Sequence, residues 1–497
     1  MQGTIKSLAR SLAALLLIVL TGWSVPATAQ EDLDQGMQSD LAGSLDEKST
    51  SGFSWGGYLR NETAYRYDEP RTFTKIRNTF SLNLAYDFGS SARLYAAGWY
   101  YYDHVYDLFN YETIAARTRR DEKETLVFIE TLKHEKDSDV TDLRELYLDL
   151  YLPSMDVRIG RQFVVWGVIE GIRVVDEINP MDFRELILPE LLDYRIPLWT
   201  LKVDYYLEQG ALQFLYIPDL TFHKPAPGGS EWELFQVLDK TTLPENGRPE
   251  FAEYGLRWSG NVWDADVSLS YFYTWDDYPT TFRVISDADV QTADPTTELA
   301  ILPTYKRMAM YGSTLTKEIG GNIVKAELVY ATGKYFAVVD EDQDGDGFLD
   351  ADGEIERPHW RWALGYDFSW GGADFSPAIA QWIITNYNNY ILTDEVDTTF
   401  NLFIRKPMQR YSSVFTLLGI YLWNFEEVYL KPKFTFNLTN NFQIMAGVDY
   451  FAGIRTQFGR AADTTAEGGL IDLEQRAQFL GNFRDNNRIF VEFKYSF

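Results

Sequence analysis

The chain has 497 residues, a formal charge of −28, no cysteine and 16% aromatic residues. That length admits one large domain or two to three ordinary ones, the charge argues against nucleic acid as a partner, and the missing cysteine excludes a disulfide framework and any Cys-based metal or redox site. Mean hydropathy is slightly negative, which excludes a bundle of transmembrane helices.

The first element is a targeting segment. Lys6 and Arg10 precede an apolar run from Leu12 to Leu20, and Ala27-Thr28-Ala29 offers small residues for cleavage after Ala29. The run is too short to span a bilayer, which takes about 20 residues. Residues 30–52 are acidic, polar and Ser/Gly-containing. Their composition predicts a disordered linker, with docking to a periplasmic partner as the alternative.

From Phe53 onward the period is two. Phe80, Leu82, Leu84, Tyr86 and Phe88 alternate with Thr79, Ser81, Asn83, Ala85 and Asp87. The same alternation runs through Leu146–Leu152, Trp360–Phe368 and Val428–Phe436. It predicts strands with one apolar and one polar face. They cover 53–67, 74–88, 91–103, 143–153, 155–166, 198–207, 210–217, 251–259, 262–274, 306–318, 321–335, 358–370, 372–386, 411–423, 426–438, 441–455 and 487–497. Many are longer than the five or six residues common in globular sheets. Short breaks such as Gly89-Ser90-Ser91, Glu208-Gln209-Gly210, Ser259-Gly260-Asn261, Ile319-Gly320-Gly321 and Gly371-Gly372 alternate with long polar segments. Aromatics crowd strand ends, as in "GWYYYD" and "YFYTW". Together these predict an all-β fold over 53–497, an antiparallel transmembrane β-barrel of about 16–18 strands with short periplasmic turns and long extracellular loops. The strand count is odd and bacterial barrels are even; "KETLVFIETLK" at 123–133 is the expected missing strand.

The closing stretch "NRIFVEFKYSF" puts Phe493, Tyr495 and Phe497 at every second position. It resembles the signal by which outer-membrane barrels are handed to the barrel-assembly machinery. "GRQFVVWG" (Gly160–Gly167), "DEINPMD" (Asp176–Asp182), "EYGLRWSGNVWDADVSLSYFYTWDDYP" and "VKAELVYATGKYF" are similar to a proteobacterial porin-like family whose common domain has no assigned function. The resemblance implies an outer-membrane barrel in contact with lipid and lipopolysaccharide. It implies no substrate, and for some members it implies work beside inner-membrane exporters.

The polar parity of the clean strands gives an expected lumen lining. Its bases are Arg77, Lys202, Arg257, Lys325, Arg361, Lys431, Lys433, Arg488 and Lys494. Its acids are Asp87, Glu145, Asp149, Asp204, Glu253, Asp264, Asp266, Glu327, Asp367, Asp449 and Glu492. This near balance predicts weak charge selectivity, and Lys325/Glu327 and Lys202/Asp204 are expected to pair. In the loop 167–197, "NPMDFRELILPELLDY" predicts a short helix with Asn179 as N-cap, Pro180 first in the helix and Asp182 three residues past the cap. Its apolar stripe of Leu186, Ile187, Leu191 and Leu192 needs a partner surface. Two placements are open, the barrel mouth, where it would narrow the pore with Asp176, or the rim. Arg161 falls on the apolar parity of Ile159 and Phe163, where a charge at mid-bilayer would cost about 2–4 kcal/mol. A bulge near Gly160, turning Arg161 and Gln162 under the loop helix, is the expected remedy, and a position at the rim is the alternative.

"DQDGDGFLDADGE" places Asp342, Asp344, Asp346, Phe348 and Asp350 at the spacing of an oxygen-rich Ca²⁺ turn, although Gly353 stands where the bidentate Glu belongs. A structural Ca²⁺ is the expectation and a solvated acidic tip the alternative; no cofactor is otherwise required. The four histidines, His104, His134, His223 and His359, have no triad or zinc spacing, so no enzyme is expected. Two functions remain. One is an outer-membrane channel of a Gram-negative bacterium for small polar solutes, weakly charge-selective and narrowed by the 167–197 loop. The other is a partner-bound conduit or export component for apolar molecules or electrons.

Overall fold

The computed structural model describes residues 52–110, 113–114, 139–226, 230–232, 244, 247–284, 300–337, 354–389, 391, 393–408, 412–453 and 480–497. The expected leader, nearly all of the linker, the 123–133 segment and the acidic turn at 342–353 lie outside the described residues.

Among the described residues twenty-two strands form. In chain order they are β1 (Phe53–Arg66), β2 (Thr72–Phe88), β3 (Ala92–Asp103), β4 (Asp139–Leu152), β5 (Met155–Gln162), β6 (Leu198–Leu207), β7 (Gly210–Ile217) and β8 (Glu253–Val262). They continue with β9 (Ala265–Trp275), β10 (Thr280–Val284), β11 (Ala300–Thr304), β12 (Arg307–Ile319), β13 (Asn322–Thr332), β14 (Tyr335–Ala337) and β15 (Glu354–Glu356). The last are β16 (His359–Trp370), β17 (Ala373–Ile384), β18 (Val396–Met408), β19 (Ser413–Leu422), β20 (Glu427–Asn437), β21 (Phe442–Ala452) and β22 (Arg488–Ser496). Eighteen of them make one antiparallel sheet, and β10/β11 and β14/β15 are separate hairpins in two connections. Pairing of β1 with β22, from Tyr58–Ser496 to Arg66–Arg488, closes the sheet on itself. Closure leaves no unpaired edge, the condition for strands to cross hydrocarbon.

Alternation decides which face looks where. Ile489, Val491, Phe493 and Tyr495 are exposed on the outer wall, while Arg488 and Phe490 are buried inside. Phe80, Tyr86 and Phe88 likewise face out, and Thr79, Ser81 and Asn83 face in. Leu94, Ile159, Leu212, Leu256, Leu269, Leu328 and Leu364 continue the exposed apolar band around the barrel. Such a band would be unfavourable in water and is the expected surface against lipid. The tight connections, among them 153–154, 208–209, 320–321 and 371–372, all lie at one end. The long ones, 104–138, 163–197, 218–252, 276–306, 333–358 and 453–487, lie at the other, joined by the shorter 67–71, 385–395 and 423–426.

Three expectations are corrected. The strand missing from the sequence reading is β18, whose Phe400 faces out and Asn401 in; its alternation is broken by Phe403, and a polar stretch precedes it. The β8–β9 turn is Trp263-Asp264, both with positive φ (53° and 57°), and Ser259-Gly260-Asn261 remain within β8. Such turns favour Asn, Asp or Gly; Asp264 fits, but Trp263 takes a positive φ that a bulky side chain disfavours, which hid the turn. Asp264 is accordingly a turn residue and not part of the lumen wall.

Candidate constriction site

Residues 163–197 connect β5 to β6 and fold into the lumen. Val164 and Trp166 continue the inward parity of β5 and are buried. Asn179 ties the neck of the loop: its Oδ1 accepts the Val164 N–H (2.8 Å) and its Nδ2 donates to the Ile196 carbonyl (2.8 Å). Asp176 accepts the Trp166 N–H at 3.3 Å and is ion-paired with Arg195. Burial pushes this carboxyl up, but Arg195 overrides it and holds Asp176 below the ordinary range.

The barrel wall grips the loop from several strands. Glu327 on β13 is 2% exposed and accepts three loop amides: Val168 (2.6 Å) and Ile169 (2.9 Å) at Oε1, and Val175 (3.0 Å) at Oε2. Arg361 on β16 meets Glu177 at 3.3 Å, and Asn401 on β18 donates to the Glu170 carbonyl at 3.1 Å. Between these bonds Trp166, Val174, Val175 and Ile178 pack against Leu215, Ile217, Phe272, Met308, Met310 and Val329. This part of the loop fills its side of the lumen with apolar contacts.

The second part of the loop crosses to the opposite wall. Asp182 caps a single 3₁₀ turn, Phe183–Glu185, by accepting the Arg184 N–H; a separate α-turn follows at Leu191–Tyr194. The single helix expected over 179–194 is therefore two turns, and Asn179 is a neck tie and not a cap. The break falls at Leu186, whose φ of 55° no helix accommodates. Leu186 and Leu188 are held in an apolar cluster with Trp232, Tyr429, Phe451 and Phe483, which explains how the turn is kept.

Carboxylates of this segment meet bases of the wall. Glu185 pairs with Arg77 and with Lys75 (2.5 Å), both on β2. Asp193 meets Arg60 on β1 at 2.7 Å, and Glu190 meets Lys433 (2.7 Å) and Lys431 (3.6 Å) on β20. Glu62 links Arg60 (3.3 Å) and Lys75 (3.2 Å). Burial acts upward on Glu185, but Arg77 and then Lys75 hold it well below the ordinary carboxylate range. This half of the lumen holds cavities, two of which meet the loop's ion pairs. The larger, about 110 Å³, lies among Arg60, Lys75, Arg77, Tyr101, Glu185 and Arg488; the smaller, about 20 Å³, lies among Arg60, Glu190, Lys431 and Glu492. At the mouth, the Met181 N–H donates to His223 Nδ1 (2.9 Å) and the Phe183 N–H to the Lys224 carbonyl (2.8 Å). Burial, then Arg173 and Lys334, push the His223 imidazole well below its ordinary pKa. Asp277 stands 3.6 Å away, its carboxyl pushed well up by burial and then by Glu253.

The residues read from the sequence divide by role. Arg361, Lys431 and Lys433 hold the loop from the wall, and Glu492 lines the smaller cavity. Lys494 lies 4.9 Å over the Tyr58 ring. Lys202 and Asp204 pair at 3.3 Å as expected, but Lys325 pairs with Asp367 (2.8 Å), because Glu327 is taken by loop amides. Arg257 sits in the field of Glu327, Asp176 and Asp204. Arg161 is corrected: β5 keeps an unbroken register with β4 and β6, and no bulge occurs at Gly160. Arg161 stays on the outward face one residue from the end of β5, where Asp142 stands 3.6 Å from it. The rim position is thus the observed one. Gln162 is wholly buried and donates to the Thr200 carbonyl at 3.0 Å, so it does not line the passage. Asp176 and Asn179 shape the loop, while Asp182 reaches the larger cavity. Sequence reasoning missed Arg60, Glu62 and Lys75 on the wall and Glu185, Glu190 and Asp193 in the loop. The alternation of Tyr58, Arg60 and Glu62 with Leu59 and Asn61 was the available signal for the first two. Among the described residues no cluster of three or more carboxylates or imidazoles is placed to hold a metal.

A sequence model for the family described as "Protein of unknown function (DUF1302)" matches residues 10–369. The chain belongs to this family. A search of curated proteins finds no match. Among solved structures, this family member is similar to OccK8 (OprE) of Pseudomonas aeruginosa, with 10% identity, TM-score 0.46, and coverage of 90% of this chain and 98% of the other. It is similar to OccAB2 of Acinetobacter baumannii with 10% identity, TM-score 0.47 and the same coverages. OmpT, an outer-membrane protein of Vibrio cholerae, matches with 10% identity, TM-score 0.40, and coverage of 91% and 100%.

Proposed function

We propose that the protein is a porin-like channel of a Gram-negative outer membrane that passes small polar solutes by diffusion. The observation that carries this reading is the loop 163–197. It closes one side of an 18-stranded lumen with apolar packing and leaves polar cavities on the other. A barrel of this width encloses an aqueous lumen unless something fills it, and here the filling is partial. The tight turns would face the periplasm and the long connections the outside, the usual arrangement of such barrels. Weak charge selectivity is supported by the larger cavity, where five bases (Arg60, Lys75, Arg77, Arg184 and Arg488) stand against six acids (Glu62, Asp103, Asp182, Glu185, Asp193 and Glu231).

Planar-bilayer recording of the purified barrel tests this. Steady conductance proportional to salt, with a reversal potential near zero in a KCl gradient, is the expected result. A barrel that stays silent and co-purifies with a periplasmic protein refutes the channel and points to a partner-bound conduit.

A further inference from the structure

Arg257 on β8 stands apart from its fellow bases on the lumen wall. Arg77, Lys202, Lys325, Arg361, Lys433 and Arg488 each have a carboxylate partner. Arg257 has neither an ion pair nor a hydrogen bond among the described residues. On the same inward face, Gly255 lets the loop press against β8: a Cβ there would meet Trp166 Cη2 at 2.9 Å. Arg257 follows between that contact and the Trp263-Asp264 turn, with Gln213 and Ser270 opposite it on the neighbouring strands. It therefore lies just beneath the apolar packing of the loop, on the tight-turn side.

The acids that attract Arg257 through space are Glu327, Asp176 and Asp204. Each is bound elsewhere. Glu327 gives both oxygens to loop amides, and Asp176 pairs with Arg195. Asp204 meets Lys202 at 3.3 Å and accepts from Gln213 Nε2 at 2.6 Å. Gln213 is used at its other end too, where Oε1 accepts the Trp166 indole N–H at 2.6 Å. Arg257 Nε is sealed in the wall without a partner, whereas the two terminal nitrogens of this half-buried side chain remain open to the lumen. A guanidinium keeps its charge at any pH the barrel meets. Its N–H groups form a planar fork that matches two coplanar oxygens. A single base suits a singly charged carboxylate, while a phosphate group, with nearly two charges, calls for a second base.

We propose that Arg257 is a binding station for the carboxylate of a small organic acid, met on the tight-turn side of the loop. This deepens the channel reading to a class of solute and rests on it. The terminal nitrogens of Arg257 donate to the two carboxylate oxygens, and the rest of the solute stays in the wet lumen.

Saturation-transfer NMR of the full-length barrel in detergent, titrated with propionate, tests the proposal, with propionamide as the uncharged control of the same shape. Propionate gives a saturable signal and propionamide gives none. Arg257→Gln weakens propionate binding by roughly ten- to a hundredfold, the loss of hydrogen bonds between charged partners. The variant is expected to fold, because this side chain makes no bond to the protein, and heat-modifiable gel migration checks it. Arg257→Lys keeps the charge without the fork and retains weakened binding. No saturable propionate signal, equal binding of propionamide, or propionate binding indifferent to both substitutions overturns the proposal. Steady conductance without propionate binding removes the carboxylate station and leaves the channel. Arg257-dependent propionate binding in a barrel that never conducts removes the channel and leaves the station.

Discussion

Glu327→Gln probes the bond between wall and loop with the least change of shape. The native carboxylate accepts Val168 and Ile169 at one oxygen and Val175 at the other. An amide keeps one acceptor. Whichever way it turns, its NH₂ faces a backbone N–H, and at least one buried donor loses its partner. Losing a hydrogen bond to a charged acceptor costs about 1.5–3 kcal/mol, and the stranded donor adds a desolvation penalty of similar size, so about 2–4 kcal/mol is expected for the docked loop. That raises the undocked fraction by roughly thirty- to several-hundredfold, at tenfold per 1.4 kcal/mol. The barrel itself should persist, because Glu327 pairs its strand through the backbone and its side chain serves the loop. The assay has two parts. Trypsin should cut the variant at Arg173, a loop residue whose guanidinium now donates to the Asp176 and Asn179 carbonyls. Bilayer recordings should show larger, noisier openings than the parent. A folded Glu327→Gln barrel with parental trypsin resistance and parental conductance refutes the claim that this carboxylate holds the loop.

Glu190→Gln releases Lys431 and Lys433 from their shared, lumen-exposed partner. The reversal potential in a KCl gradient should move toward anion preference, and no shift would show that the two lysines do not face the ion path. Arg488→Met leaves Asp449, which is 0% exposed, with the Tyr429 hydroxyl as its side-chain partner. Breaking such a buried pair costs about 3–5 kcal/mol, visible as a lower urea midpoint, and an unchanged midpoint would contradict it. His223 gives a pH prediction. Its folded pKa lies below the unfolded value of about 6.5, so its contribution is full above that value and declines as pH falls. Asp277 opposite has a raised pKa and the opposite slope, so the comparison is between the parent and His223→Gln. The stability gap between them should shrink by at most about 1.4 kcal/mol per pH unit from pH 6.5 to 5, and a gap independent of pH over that window argues against a neutral His223 in the folded loop.

Most of the barrel was legible because alternation is local. Arg488, Glu492 and Lys494 against Ile489, Val491 and Phe493 fix the two faces of β22 without knowledge of any other strand. The breaks marked by Gly320-Gly321 and Gly371-Gly372 were legible for the same reason. What failed depended on distant partners. Glu327 looks like half of a wall ion pair until the loop amides arrive from residues 168–175. Leu186 looks helical until Trp232, Tyr429 and Phe451 surround it and hold a conformation its own propensity disfavours. Arg161 looks like a mid-bilayer charge because a strand's period gives the face of a side chain but not its depth. The loop between β5 and β6 was legible as a loop, whereas its ion pairs join residues more than a hundred positions apart, such as Arg60 with Asp193 and Lys433 with Glu190.

Those same separations bear on the order of events during assembly. The loop leaves the wall after β5, yet its anchors lie on β1, β2, β13, β16, β18 and β20. A chain that has laid down only its first half can offer Arg60, Lys75 and Arg77 but neither Glu327 nor Lys431. Contacts this remote in sequence are made only after the intervening loops have been closed, with the entropy that closing them removes. Docking of residues 163–197 is therefore completed late, once the last third of the sheet has curled round to meet it. Until then the loop cannot fill its side of the lumen, and its docked form appears as a late act of folding rather than as a property of any strand.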